Sequence, residues 1–106
     1  MPYTPSPVAR PDRYQDSHLE VDFARAAASL DSRRMVLTRK EYELLSLLVQ
    51  NAGEIIPRDA LLLRVWNYSP QIRTRTLDVH IRRLRKKLGA FSPIETVRHA
   101  GYRLAA

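Results

Sequence analysis

The chain has 106 residues, with 18 Lys or Arg against 11 Asp or Glu for a formal charge of +7, and 44% of it is hydrophobic. That is enough for one modest core and one domain. Cysteine is absent, which excludes disulfides and thiolate metal sites and agrees with a cytoplasmic protein. No apolar run approaches the ~20 residues that span a bilayer, and the positive balance favours a polyanionic partner.

Prolines 2, 5, 7 and 11, with no hydrophobic segment between them, make residues 1–16 read as a flexible linker ahead of a folded domain over 17–106. From Leu19 to Phe23 apolar and acidic residues alternate with the period of a half-buried strand. Residues 26–30 form a second strand, Asp31 and Ser32 a turn, and 34–37 a third strand, which together predict a small antiparallel sheet.

Thr38 followed by Glu41 is a capping box, so a helix starts there with Tyr42, Leu45, Leu48 and Val49 as its apolar stripe, supported by Leu44. Gly53 is placed to end it. After an extended link at Ile55 and Ile56, Pro57 fits the first turn of a second helix that buries Leu61, Leu62, Val65 and Trp66 and has no side-chain cap. Pro70 makes residues 67–73 a loop, and Thr74 is the expected N-cap of a third helix over 74–88.

The third helix carries most of the information. At about 100° per residue, Leu77, Ile81, Leu84 and Leu88 stack on one stripe, while Arg75, Val79, Arg82, Arg83 and Lys86 project on the opposite side. Between residues 73 and 87 seven Lys or Arg face one acid, a local charge of +6 out of +7 for the chain. Such a stripe fits a phosphate-lined groove, and Val79 in its middle suits a thymine methyl. Asp78 lies within helical reach of Arg75 and Arg82 and reads as the group that orients an arginine. Gly89 ends the helix, and strands over 94–98 and 102–104 flank a three-residue loop of His99, Ala100 and Gly101.

The order of strands, three helices and hairpin specifies an α+β winged helix-turn-helix: an N-terminal antiparallel sheet, three helices and a C-terminal β-hairpin wing. An enzyme is disfavoured, since His18, His80 and His99 are scattered and there is no glycine-rich phosphate loop. No cofactor is expected. RNA would call for stacking aromatics on the basic face, which has none. A protein-interaction module or a non-specific DNA binder remain the alternatives to sequence-specific duplex DNA binding.

These residues resemble the OmpR/PhoB-type effector domain of bacterial two-component response regulators. The similarity rests on Leu37-Thr38 with Glu41-Tyr42 and Leu44-Leu45, on Leu61 with Val65-Trp66, on the run from Arg75 to Arg85, and on Thr96-Val97-Arg98 with Gly101-Tyr102-Arg103. The resemblance implies a four-stranded N-terminal sheet and a transcription regulator that reads the major groove with the basic helix. It also implies a phosphate contact from Trp66 and a minor-groove contact from the wing over 94–104, through Thr96 and Arg98. Arg83 and Val79 are assigned to base reading, and Arg75, Thr76, His80, Arg82 and Lys86 to phosphate or mixed contacts. Two copies are expected on tandem half-sites, and the 67–73 loop resembles a segment that contacts RNA polymerase in some members. His99 stands where members commonly have glycine, and Pro57 where a Ser or Thr cap is common.

Overall fold

In the computed structural model, which describes residues 8, 9 and 12–105, the chain begins as a sheet. Strands β1 (Val8–Ala9), β2 (Arg13–Gln15), β3 (Leu19–Asp22), β4 (Ala27–Leu30) and β5 (Arg33–Arg34) pair antiparallel in chain order. The registers Tyr14↔Val21 and Val21↔Ala28 line up a column of buried side chains on the core face. The linker expected over 1–16 therefore ends sooner than composition suggests: Tyr14 is fully buried and residues 13–15 belong to the sheet. Residues 1–7, 10 and 11 lie outside the described residues.

The sheet has five strands rather than four, and its last strand is shorter than the one expected over 34–37. Asp31 and Ser32, at φ 49° and 67°, form the two-residue link into β5. Met35 N–H still donates to the Ala28 carbonyl of β4 at 2.8 Å, and beyond it the chain leaves the sheet; Val36 is exposed, and its carbonyl accepts from Lys87 Nζ at 2.9 Å.

Helix α1 (Arg39–Gln50) starts with both halves of the capping box formed: Glu41 N–H donates to Thr38 Oγ1 at 3.2 Å, and Thr38 N–H to Glu41 Oε1 at 2.8 Å. Thr38→Ala should cost about 1 kcal/mol, read as a drop in Tm of about 4 °C. An unchanged Tm would show that the Glu41 half suffices. Leu44, Leu45, Leu48 and Val49 are fully buried, with Tyr42 at the margin. The helix stops at Gln50, and Gly53 serves another purpose, donating its N–H to Leu104 in the wing at 2.9 Å.

Helix α2 (Arg58–Trp66) has Pro57 at the N-cap, one position ahead of the expected first turn, and buries Leu61, Leu62 and Val65. Helix α3 (Thr76–Leu88) buries all four stripe residues, Leu77, Ile81, Leu84 and Leu88. Its N-cap is Arg75, not Thr74. Thr74 nevertheless accepts from the Thr76 N–H at 3.1 Å, a cap's task performed from one residue further out. Gly89, at φ 79°, closes α3 and opens a 3-10 turn over Gly89–Phe91.

The wing consists of β6 (Ile94–Val97) and β7 (Gly101–Leu104), joined by Arg98, His99 and Ala100, so its loop sits one residue earlier than expected. His99 adopts φ 64° and Ala100 N–H donates to Val97 at 2.9 Å, so histidine fills the left-handed position that glycine commonly takes. The wing's base is tied to the α1–α2 link. Ile56 N–H donates to Tyr102 at 2.8 Å, and Tyr102 N–H to Ile56 at 3.1 Å. Among the described residues, no helix is long and apolar enough to cross a membrane.

Candidate nucleic-acid interface

The amphipathic period of α3 sends its charged side away from the core. Arg75, Val79, Arg82, Arg83 and Lys86 are all exposed, and Val79 keeps 41% of its surface amid the four cations. None of those four makes an ion pair among the described residues. Arg98, exposed at the wing turn, adds a cation on a separate projection. Four cations with no contact ion pair, of which Arg75 feels the Asp78 carboxylate at longer range, surround one apolar side chain and form a surface that attracts phosphate and can discriminate a methyl group.

Other charges of the same segment are used internally. Asp78, expected to serve Arg75 or Arg82 on its own helix, instead accepts from both guanidinium NH2 groups of Arg58 at the start of α2. Its Oδ1 also accepts from the Tyr102 hydroxyl of the wing at 2.8 Å. The orienting role thus goes to an arginine 20 residues away. Hydrogen bonds from Arg58 hold the Asp78 carboxyl below its ordinary value against the upward push of burial, and Tyr102 reinforces them. Burial and then the bond to Asp78 push the Tyr102 hydroxyl up, so it keeps its proton at neutral pH.

Arg85 also faces the wing. Its Nε and Nη2 donate to the Ile94 carbonyl at 3.2 and 3.0 Å, Nη2 reaches Thr96 Oγ1 at 2.7 Å, and the guanidinium lies 5.7 Å from the Tyr102 ring centre. Thr96 is exposed, with its oxygen engaged and its O–H left to donate. Lys87 reaches back to α1 and bonds the buried Glu41 at 2.6 Å. Of the seven cations between residues 73 and 87, removing Arg85 and Lys87 leaves Arg73, Arg75, Arg82, Arg83 and Lys86 for a ligand.

Trp66 and His80 meet at the α2–α3 contact, both half-buried, edge to face with ring centres 4.8 Å apart. His80 Nδ1–H donates to the Thr76 carbonyl at 2.8 Å, which fixes its ring beside the first turn of α3. Thr76, half-buried, shares its hydroxyl with Thr74 at 2.7 Å. The N-terminal end of the basic helix is therefore braced from three sides by α2, by the wing and by its own preceding loop.

The description "transcriptional regulatory protein, C terminal" belongs to the family model that matches residues 32–104. The chain belongs to that family. Transcriptional regulatory protein VxrB of Vibrio cholerae is 39% identical over 102 residues, covering 91% of this chain but 41% of that protein. The chain thus spans less than half of that relative. Among solved structures, the Klebsiella pneumoniae RstA DNA-binding domain in complex with the RstA box is 32% identical, with a TM-score of 0.81 over 88% of this chain and 96% of that one. The DNA-binding domain of CpxR from E. coli, 28% identical, gives the same TM-score of 0.81 over 89% and 96%. The family match bears out the resemblance read from the four sequence blocks, and the neighbours share the winged-helix architecture. The match starts at residue 32, so β1 to β4 lie ahead of the part by which the family is recognised.

Proposed function

We propose that the chain is the effector domain of a two-component response regulator, acts in the cytoplasm, and binds duplex DNA sequence-selectively without catalysing a reaction. The observation that carries this reading is the outward face of α3, where Arg75, Arg82, Arg83 and Lys86 surround the exposed Val79 and pair with no acid among the described residues. The likeness to the RstA domain, solved in complex with the RstA box, supports duplex DNA as the ligand, and one orientation suits the α3 face. In it α3 enters the major groove, with Arg83 and Val79 at base edges and Arg75, Thr76, Arg82 and Lys86 along phosphates. Trp66 and His80 present their free edges to the backbone at the groove's rim. Arg98 reaches the neighbouring minor groove, with Thr96 donating beside it.

One module of this kind covers about 600 to 1,000 Å² of its own surface on DNA, so two copies occupy adjacent half-sites in tandem. The loop of residues 67–73 offers the exposed Ile72 to RNA polymerase in this arrangement, while Arg73 at its end stays with the cations that face the DNA.

Selection from random duplexes, followed by affinity measurement at two salt concentrations, tests the reading. A motif of two spaced half-sites is expected; uniform affinity for all duplexes would leave only non-specific binding. On the selected site Arg83→Ala should lose about 2 kcal/mol and much less on random DNA, whereas Lys86→Ala should weaken both and lower the salt slope by about one. Equal losses on both DNAs for Arg83→Ala would make it a phosphate contact.

A further inference from the structure

Asp78 and Arg85 are seven residues apart and share the flank of α3 that faces the wing. Tyr102 of β7 lies between them, its hydroxyl bonded to Asp78 and its ring under the Arg85 guanidinium. Tyr102 is also the residue whose backbone is tied on the other side to Ile56. Tyr102 is 7% exposed while the Asp78 side chain keeps 44% of its surface, so the hydroxyl–carboxylate bond is screened by protein on the tyrosine side and meets water on the other. The Arg58 pairing in turn fixes the carboxylate's orientation.

We infer that Tyr102, held by Asp78, is a positioning residue that sets the angle between the wing and α3, and so decides whether Arg98 and the α3 cations can engage one duplex together. The inference rests on the proposed DNA reading. Neither Tyr102 nor Asp78 touches the ligand. Arg98 sits three residues before β7, in the turn that Tyr102 anchors, so a small rotation at Tyr102 carries the guanidinium away from its phosphate or base edge. The Arg85 bonds to Ile94 and Thr96 hold the other wing strand, which leaves the Tyr102 hydroxyl, among the described residues, as the side-chain hydrogen bond between β7 and the first turn of α3.

A double-mutant cycle reads the coupling. Tyr102→Phe keeps the ring and the packing and removes only the hydroxyl. On a selected duplex it should weaken binding about fivefold in the wild-type background and less than twofold once Arg98→Ala has removed the wing contact. The same factor in both backgrounds would overturn the inference, since loss of general stability does not depend on Arg98. A second measurement needs no DNA. Residual dipolar couplings of the free protein should show the β6–β7 amides reoriented relative to α3 in Tyr102→Phe while those within each element stay unchanged; an unaltered wing angle would also overturn it. Failure of wild-type protein to select any duplex would instead strike the DNA reading, and the wing measurement would still decide the positioning role.

Discussion

Gly101→Ala should unfold the wing from the body of the protein and cost about 4 kcal/mol, adding the penalty of overpacking to that of a strained backbone. Gly101 has φ 151°, and a Cβ there would lie 2.0 Å from the Ile56 carbonyl oxygen, 2.8 Å from its carbonyl carbon and 2.9 Å from Pro57 Cα. All three are backbone atoms, so no rotamer change can make room. The displaced segment is also the one that exchanges two hydrogen bonds with Tyr102, and pushing it away breaks both. Gly89→Ala is the control, because Gly89 has φ 79° and nothing within 4 Å of the added carbon. It should lose only the cost of holding alanine at φ 79° and ψ −161°, a region that glycine alone populates readily, about 1 to 3 kcal/mol. Denaturant unfolding of both variants compares the two terms, and equal losses would mean that backbone conformation rather than the Ile56 contact governs Gly101.

What the sequence made legible follows from the range of the interactions involved. The capping box, the Leu77-Ile81-Leu84-Leu88 stripe and the Asp31-Ser32 turn are set by residues within a few positions of one another, and they form as their patterns predict. Strand β2 does not announce itself, because Arg13-Tyr14-Gln15 offers one apolar residue and no period; only pairing with Val21 makes Tyr14 core. The shift of the α3 cap from Thr74 to Arg75 is a one-residue boundary effect of the kind expected at helix ends.

Charged residues were the harder case. The charge of the segment counts Arg85 and Lys87 with its other cations, and helical spacing pairs Asp78 with Arg75 or Arg82, yet the partners of the three lie 9, 46 and 20 residues away in the chain. On a helical projection Arg85 and Lys87 fall at the two edges of the cationic arc, and an edge position is where a long side chain can turn inward. The outward set of Arg75, Val79, Arg82, Arg83 and Lys86 was legible because it lies within about 120° around Val79, too far from the core stripe to be drawn back.

Lys86 and Lys87, neighbours in sequence, should therefore behave as opposites. Lys87→Ala should cost about 3 kcal/mol of stability, since it leaves the Glu41 carboxylate buried without its cation. The one-third exposure of Lys87 and the remaining Thr38 N–H bond keep the loss at the lower end of the range for broken buried pairs. Its effect on the salt slope of DNA binding should be near zero, because the charge is already matched by Glu41. In the wild type, burial pushes the Glu41 carboxyl up, but hydrogen bonds from Lys87 and Thr38 outweigh it and hold the group below its ordinary value. That stabilisation is present above the unfolded carboxyl value of about 4.3 and is lost as pH falls through the lower folded value. Without Lys87 the balance reverses: burial dominates, the folded carboxyl rises above the unfolded one, and protonation relieves the variant. The gap in unfolding free energy between wild type and Lys87→Ala should accordingly narrow from about pH 7 to about pH 4. A gap that stayed constant over that range would mean that Lys87 stabilises through its bond to Val36 and the packing of its stem rather than through Glu41.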